Sequence, residues 1–408
     1  MKYLFISGIS LLFLLQACTF FQTPRQRALA TFSDFDIASL DKNAGQMIEE
    51  GEPEVIHFPE ISYGEDYDVP FDSVYEEVSI VKLETTEQSI VGNYSKISIV
   101  DDVLYILDDV RSKSLFRFSL DGKFIDKIGN VGQGPGEYTE PTDFYVLNGY
   151  VYIYDEFQNV ILRYDKDGNY ISSTRIPFLA FQVAQYDTLS YVFRSYNTMN
   201  PHFTSLDQCN MWVTDTSFNI IKSGMKYPVP TNTLAFDSDA MKRIGNEIIC
   251  YEPFCDSLFV LDQEYNLQCK YSLDFGGHRK KSFYSSNDAA RQSVKNPDFY
   301  NVFHCNMSSD FVDCVVALSG HTYLYLYSRT SKKVMVLKQV VFDNGSLAPR
   351  MCLGYTIWGG CYVECYNPLF MPQDSLTMST WQKHIKGDFA DIRPDDNPVL
   401  VFYKLRKW

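Results

Sequence analysis

The chain has 408 residues, of which 45% are hydrophobic and 21% charged, so it holds ample apolar material for a buried core and shows no sign of wholesale disorder. Its formal net charge of −15 argues against nucleic acid or an anionic lipid surface as a partner. Aromatic residues make up 15% of the sequence, and because they favour pleated surfaces the composition predicts an all-β fold.

The first residues have the features of a secretion signal. Lys2 precedes a mostly apolar run that ends at Leu15, which is shorter than the ~20 residues needed to span a bilayer. The following Leu15-Gln16-Ala17-Cys18 resembles the bacterial lipobox, in which the chain is cut before a cysteine that then receives lipid. We therefore predict a lipoprotein signal peptide over residues 1–17 and membrane attachment through lipid on Cys18. The alternative is an ordinary signal peptide cut nearby, with Cys18 discarded or free.

Residues 18–70 show no steady periodicity and carry an acidic patch from Glu49 to Glu54. This composition indicates a tether followed by an irregular N-terminal arm packed on the body. Residues 71–408 are the predicted body.

Two stretches of the body align with each other. VLYILDDVRSKSLFRFSLDGKFIDKIG begins at Val103, and YVYIYDEFQNVILRYDKDGNYISSTRI begins at Tyr150. Both contain short β-forming runs and an Asp-Gly pair that favours a tight hairpin. A repeat of about 46 residues with this content is typical of a four-stranded propeller blade.

Weaker copies of the pattern follow over residues 191–220, 247–273, 315–337 and 355–365, which predicts six four-stranded antiparallel blades. The strand Glu77–Leu83 has no blade before it, and Pro398–Leu405 has none after it. Pairing of these N- and C-terminal strands within one blade would close the ring and remove an exposed edge. Residues 285–295 and 379–392 are helix candidates on a rim.

A glycine-rich run, IGNVGQGPGEY, separates the two aligned stretches. A phosphate-binding loop requires a lysine and a hydroxyl residue after its spaced glycines, whereas this run has Pro135 and Gly136 there. Its position between two strand sets indicates a connection between blades. The residues assigned to this structural loop are Gly129, Gly132, Gly134, Gly136 and Pro141.

The segment from Gly129 to Ile171 resembles the NHL repeat in its glycine loop, its Asp155 and Asn159, and its Asp-Gly hairpin. More broadly, the chain resembles the six-bladed β-propeller lipoproteins of gut-dwelling Gram-negative anaerobes. The resemblance rests on the lipobox, the entry VSIVKLETTEQSIVGNYSKI, the NHL-like blade, the run CDSLFVLDQEYNLQCKYSLDFG and the ending NPVLVFYKLRKW. It implies a six-bladed ring anchored in the cell envelope, and no established activity.

In that bacterial group, surface-exported lipoproteins usually carry acidic residues just after the lipidated cysteine. Here Cys18 is followed by Thr-Phe-Phe-Gln-Thr, without an acid. The resemblance therefore favours a periplasm-facing anchor over the cell surface.

The sequence holds no catalytic motif. Related six-bladed lactonases and lyases bind a metal at the ring centre, but the six histidines here are scattered and show no metal-binding spacing. The run Asp165–Asn169 has the wrong glycine position for a calcium loop, so calcium is conceivable but is not indicated by a motif. We predict no catalytic residue, no metal ligand and no cofactor.

A propeller offers a concave face formed by its end loops, and aromatic residues there suit sugar rings or peptides. The candidates are Phe157, Trp358, Tyr362 and Tyr366, with a core or rim role as the alternative for each. The predicted function is a non-catalytic binding or scaffold protein for a glycan, peptide or protein partner. The alternative is a metal-dependent propeller hydrolase or lyase with a site in the central channel.

Overall fold

The computed structural model describes residues 23–62, 65–195, 200–206, 209–226, 241–244, 247–251, 256–278, 299–351 and 356–408. The predicted signal peptide, Cys18 and the helix candidate at 285–295 lie outside these residues. No helix in the described part is long and apolar enough to cross a membrane.

The arm precedes the ring and is more regular than its sequence predicts. Its elements are α1 (Pro24–Thr31), α2 (Ile37–Leu40), β1 (Gly45–Gln46), β2 (Glu49–Glu50), β3 (Glu54–His57) and β4 (Asp68–Pro70). The next elements are α3 (Phe71–Val74) and β5 (Tyr75–Lys82).

Six four-stranded antiparallel sheets form the ring, which confirms the predicted six-bladed propeller. Blade 1 consists of β6 (Lys96–Val100), β7 (Val103–Asp108), β8 (Ser114–Ser119) and β9 (Phe124–Ile128). The short strands β10 (Asn130–Val131) and β11 (Glu137–Tyr138) lead to blade 2, which consists of β12 (Pro141–Leu147), β13 (Tyr150–Asp155), β14 (Val160–Asp165) and β15 (Tyr170–Arg175). Blade 3 consists of β16 (Gln182–Gln185), β17 (Ser190–Arg194), β18 (Cys209–Asp215) and β19 (Ile220–Lys226).

The other three blades follow the same order from the centre outward. Blade 4 consists of β20 (Met241–Ile244), β21 (Glu247–Tyr251), β22 (Ser257–Leu261) and β23 (Leu267–Asp274). Blade 5 consists of β24 (Asn301–Met307), β25 (Phe311–Leu318), β26 (His321–Ser328) and β27 (Val334–Leu337), and β28 (Gln339–Val341) follows it. Blade 6 consists of β29 (Thr356–Trp358), β30 (Cys361–Tyr366), β31 (Val399–Leu405) and β5, with α4 (Ser375–His384) inserted between β30 and β31.

The ring closes as predicted. β31 pairs antiparallel with β5, and Val401 lies opposite Ile80. Blade 6 therefore takes three strands from the end of the chain and its outermost strand from near the start, which leaves the ring without a seam of unpaired inner strands.

The core is divided among the contacts between blades. Among the described residues there are six clusters of buried apolar side chains. One cluster lies at each interface between blades, and it joins residues of the two neighbouring blades. The middle strands are buried on both faces for this reason; Leu104, Ile106 and Leu107 on β7, for example, are fully buried. A single blade has too little apolar surface to fold alone, so stacking supplies most of the stability.

The arm runs along the outside of four blades. β1 pairs in parallel with β19, β2 and β3 pair in parallel with β23, and β4 pairs in parallel with β28. Phe32, Met47, Phe58 and Phe71 from the arm and α3 enter four successive inter-blade clusters. The arm therefore covers the exposed edges of outer strands and completes the core.

The second helix candidate needs a correction. The helix begins at Ser375, where Asp374 accepts a hydrogen bond from the Thr377 N–H at 2.8 Å, and it ends at His384. Residues 385–392 are not helical because Lys386 exchanges backbone hydrogen bonds with Val78 and Ile80 on the outer edge of β5.

Candidate functional site

The innermost strands of all six blades surround a central channel with a cavity of about 350 Å³. Each blade contributes to its wall. One lining residue from each of blades 1 to 6 is Lys96, Tyr145, Val183, Lys242, Asn306 and Thr356. The remaining lining is mostly apolar, with Arg243 as a third cation.

Polar bridges join neighbouring blades behind this wall, beginning at blades 1 to 3. The ammonium of Lys96 lies 2.7 Å from the Asp143 carboxylate and donates to the Phe144 carbonyl at 2.9 Å. The second Asp143 oxygen accepts the Val183 N–H at 2.8 Å. Since Asp143 is 2% exposed, this ion pair is shielded from solvent and ties three blades together.

The bridges continue around the ring through blades 3 to 5. Arg194 donates to the Gln182 side-chain oxygen at 3.1 Å, and that oxygen also accepts the Met241 N–H at 3.2 Å. Lys242 Nζ then lies 3.3 Å from His304 Nε2. Arg243 of blade 4 donates to the Gln185 and Tyr186 carbonyls of blade 3, so each cation of the channel wall contacts a neighbouring blade.

Asp313 joins blade 5 to blade 6. Its carboxylate accepts the Tyr362 hydroxyl at 3.0 Å, and the same hydroxyl lies 3.1 Å from Ser308 Oγ. Burial raises the pKa of Asp313 to about 6, although His304, the Tyr362 hydrogen bond and Lys242 act in the opposite direction. Its Oδ2 atom is buried and has no hydrogen-bond partner within the described residues. Ionisation of this carboxyl group is therefore less favourable in the folded protein than in water.

These groups do not assemble a metal site. Across the residues that the structure describes, no group of three or more His, Cys, Asp or Glu side chains could hold a metal ion. The carboxylate of Asp165, in the run that resembles a calcium loop, accepts the backbone N–H groups of Asp167 and Asn169, both at 2.9 Å, within its own hairpin.

The four aromatic binding candidates do not come together. Phe157 is 66% exposed in the turn between β13 and β14 of blade 2. Trp358, Tyr362 and Tyr366 all belong to blade 6, where Tyr362 is 3% exposed and cannot offer a ring face to a ligand. Tyr366 stacks edge-on against Trp381 of α4 and donates to the Phe370 carbonyl at 3.0 Å. A shared aromatic face is therefore not formed by these residues.

The glycine loop lies between β9 and β12, as expected for a connection between blades. A Cβ atom on Gly129 would lie 2.6 Å from both the Tyr138 ring and the Tyr164 hydroxyl, and Gly129 has a φ of 69°. Tyr138 fills the space with its ring and donates to the Ile128 carbonyl at 2.8 Å. Pro141 begins β12, so the loop ends where the next blade starts.

Two aspartates at matching positions of the repeat bind backbone N–H groups in the segments that lead into blades 1 and 2. Asp108 accepts the backbone N–H groups of Gly92, Asn93 and Arg111 at 2.7–3.2 Å. Burial alone would raise the pKa of Asp108, but these donors outweigh it and lower the pKa below its ordinary value. Asp155 accepts the Gln158 and Thr139 N–H groups in the same manner. Both carboxylates organise backbone.

The sequence did contain a signal for the polar residues of the channel. Lys96, Asp143 and Asp313 each place a charge inside a run of β-forming residues, KISIV, PTDFYVL and FVDCVVAL. Charges are seldom buried in such strands unless they are paired, so this pattern marks them.

The comparisons with known proteins agree with the fold. Among solved structures, a candidate exported protein of Bacteroides fragilis is 21% identical with a TM-score of 0.68, over 87% of this chain and 100% of that chain. A member of the duf4221 family from Bacteroides vulgatus is 9% identical with a TM-score of 0.50, over 82% of this chain and 98% of that chain. At these identities the likeness concerns the fold alone. No curated protein matches the sequence.

A family model covers most of the chain. It matches residues 53–404, from the arm just before β3 to the last residues of β31, and so includes all six blades and the closing pair of strands. The chain belongs to the family described as Domain of unknown function (DUF4934).

Proposed function

We propose that this protein is a non-catalytic binding protein of the cell envelope, held to a membrane by lipid on Cys18 and facing the periplasm. Its ligand is a glycan, a peptide or a protein segment that enters the central channel. The observation that carries the proposal is the channel itself, a concave cavity with both apolar and polar lining to which all six blades contribute.

The channel has the properties of a small-molecule or peptide site. Such sites typically have volumes of ~300–1,000 Å³ and combine an apolar lining with a few polar groups that orient the ligand. Here the polar groups are the cations Lys96, Lys242 and Arg243 together with Asn306 and Thr356.

The chemistry of the wall supports binding over catalysis. Asp143 is committed to Lys96 and to a backbone N–H, and Asp313 is committed to Tyr362. A general acid or base must reach the proton that it transfers, and these carboxyl groups are buried behind the wall. Their contacts between blades explain their presence.

Sequence features support the cellular address. The run before Cys18 resembles a lipobox, and no acidic residue follows the cysteine closely. The structurally similar candidate exported protein of Bacteroides fragilis is consistent with the same compartment.

The anchor is tested by expressing the full chain in a Gram-negative host fed with an alkyne-tagged fatty acid. We expect the label on the wild type, recovery in the membrane fraction and protection from protease added to intact cells. Cys18→Ser should lose both label and membrane recovery. Label retained by Cys18→Ser would contradict lipidation at this residue, and protease digestion in intact cells would place the body on the surface.

Channel binding is tested by thermal shift of the detergent-extracted full chain against glycan and peptide panels, Ca²⁺ and EDTA. We expect a glycan or peptide to raise the midpoint of the wild type and of Ser379→Trp, which changes an exposed residue of α4. Ser98→Trp, which places an indole in the channel, should abolish the shift. A response to Ca²⁺ and EDTA alone would instead support the metal-dependent hydrolase or lyase.

A further inference from the structure

A second cavity lies between blades 2 and 3, away from the channel axis. It has a volume of about 330 Å³ and is bordered by the hairpin residues Asn148, Thr188 and Thr216. Its apolar floor includes Phe218 and Ile161, which belong to the buried cluster of this interface. We call this cavity the 2/3 cleft.

The wall of the 2/3 cleft is built around one arginine. The guanidinium carbon of Arg163 on β14 lies 3.7 Å from the centre of the Tyr150 ring and 5.8 Å from that of Tyr152. Tyr191 of blade 3 lines the opposite side. A guanidinium stacked on a ring keeps its N–H donors in its own plane, where they remain available to a planar acceptor.

Arg163 has no anionic partner in the described part of the chain. No hydrogen bond or ion pair joins its side chain to another described residue, and its Nε atom is buried without a partner. The contacts that it does make are those with Tyr150 and Tyr152. A cation that is partly desolvated and unpaired is costly to keep, so a missing anion is indicated.

The internal repeat identifies that anion. In blade 1, Arg117 occupies the position of Arg163: Arg117 lies opposite Tyr105, as Arg163 lies opposite Tyr152. On its other side Arg117 faces Asp126 and binds it through two N–H groups at 2.7 and 2.6 Å. Arg163 faces Ser172 instead. Blade 2 therefore repeats the arginine of blade 1 and lacks its carboxylate.

We propose that the 2/3 cleft binds a carboxylate-bearing sugar, a hexuronate residue of a glycan, whose carboxylate pairs with Arg163 at the place that Asp126 occupies beside Arg117. The carboxylate forms a bidentate contact with the guanidinium, and its sugar ring lies in the cleft over the apolar floor.

The lining favours a sugar over an acidic peptide. Around the single cation stand neutral hydroxyl and amide groups, which match the hydroxyls of a sugar ring, and half-buried tyrosine side chains, which add apolar surface for its C–H groups. These polar side chains are Asn148, Ser172, Thr174, Gln185, Thr188 and Thr216. An acidic peptide carries several negative charges, whereas the lining of the cleft contains a single cation, Arg163.

The test is calorimetric titration of the detergent-extracted full chain with trimers of galacturonate, glucuronate, mannuronate and guluronate. The methyl ester of each trimer, which keeps the ring and removes the charge, is titrated in parallel. We expect at least one uronate to bind about tenfold or more tightly than its ester, because a charge-assisted bidentate contact is lost in the ester. Arg163→Gln should remove this preference.

Ser172→Asp is the decisive variant because it supplies the missing carboxylate from within the chain. We expect it to weaken uronate binding at least tenfold and to raise the thermal midpoint by about 1–3 °C, a gain that the double variant with Arg163→Gln should lose. Ser173→Asp, on the next residue of β15 and outside the cleft lining, should leave binding unchanged.

The site is independent of the channel, so Ser98→Trp should bind uronate like the wild type even if channel binding fails. The proposal is overturned if no uronate binds better than its ester, or if Ser172→Asp binds uronate as the wild type does. Binding of hexa-aspartate that depends on Arg163, with no uronate response, would assign the cleft to acidic peptides and overturn the sugar.

Discussion

Gly122 of blade 1 lies against the backbone of Lys82 on the closing strand of blade 6, so close that a Cβ atom on Gly122 would come within 1.8 Å of the Lys82 carbonyl oxygen. The Gly122 carbonyl accepts the Glu84 N–H at 2.8 Å, and Gly122 has a φ of 87°. The hairpin between β8 and β9 therefore docks directly on the strand that closes the ring.

Gly122→Ala should consequently destabilise the protein by about 3 kcal/mol or more, since the new methyl group meets backbone that cannot move aside as a side chain could. Gly149→Ala is the matched control: Gly149 also has a positive φ, of 75°, but a Cβ there meets nothing within 4 Å. It should cost only about 1 kcal/mol. Chemical unfolding of both variants measures the difference, and equal losses would show that the contact with Lys82 is unimportant.

Asp108→Asn should cost more stability at neutral pH than in acid. The pKa of Asp108 is lowered in the folded state, so its ionised form contributes stability above the unfolded pKa of ~3.9, and this contribution is lost as the pH falls through the folded-state value. We expect a loss of about 1–2 kcal/mol at pH 7 that shrinks toward pH 3. Unfolding curves across this range provide the measurement, and a penalty independent of pH would contradict the assignment.

Asp313→Asn should behave in the opposite way. Burial raises the pKa of Asp313 to about 6, so ionisation opposes folding, and the wild type loses stability as the pH rises from ~4 through 6. The permanently neutral asparagine escapes this loss. The stability of the variant relative to wild type should therefore increase by on the order of 2–3 kcal/mol between pH 4 and pH 7. Unfolding curves at several pH values measure this difference, and a flat profile for Asp313→Asn would refute the shift.

Phe58→Ala tests whether the arm is part of the folded unit. Phe58 is 5% exposed, stacks on Phe275 at 4.7 Å and meets Tyr325 edge-on at 5.0 Å. Its loss should cost about 3–5 kcal/mol in a single unfolding transition. Val55→Ala, at a residue of β3 that is 48% exposed and lies three positions before Phe58, should cost less than about 1 kcal/mol. A separate early transition in Phe58→Ala would show that the arm folds independently.

Asp126→Ser converts the blade 1 position to the residue that blade 2 already has. Arg117 is 6% exposed on its side chain and would lose a bidentate partner, so we expect a loss of about 2–3 kcal/mol. Glu140→Ser, which breaks the exposed pair with Lys113, should cost far less stability. In thermal unfolding, the midpoint should therefore fall much less in Glu140→Ser than in Asp126→Ser. Similar shifts in the two variants would mean that Arg117 does not depend on Asp126.

Local sequence predicted those parts of the fold whose determinants are local. The Asp-Gly pairs at Asp121 and Asp167 predict the hairpins of blades 1 and 2, and the length of the repeat predicts a four-stranded blade. The arm could not be predicted in the same way, because β1 to β4 are two to four residues long and owe their conformation to pairing with strands far along the chain. The failure at residues 385–392 has the same origin in the contact between Lys386 and β5.

The candidate sites show a similar division. Tyr362 is a binding candidate in the sequence, with a core or rim role as the alternative, whereas in the structure it is buried between blades 5 and 6, and such burial depends on contacts between distant parts of the chain. The contrast between Asp126 and Ser172, by comparison, was already present in the two aligned stretches of sequence. The sequence alone does not show that Arg117 lies opposite Asp126 on the neighbouring strand, or that Arg163 lies opposite Ser172.

The course of the arm also determines how the molecule would respond to a pull at residue 23. From there the chain meets the Arg175–Asp34 contact, then β1 on blade 3, β2 and β3 on blade 4, β4 beside β28, and only afterward β5. Tension would therefore detach short stretches one after another, each with a few hydrogen bonds and one buried aromatic or methionine side chain. The strand that closes the ring would be the last to bear load, so the propeller stays intact while the arm extends.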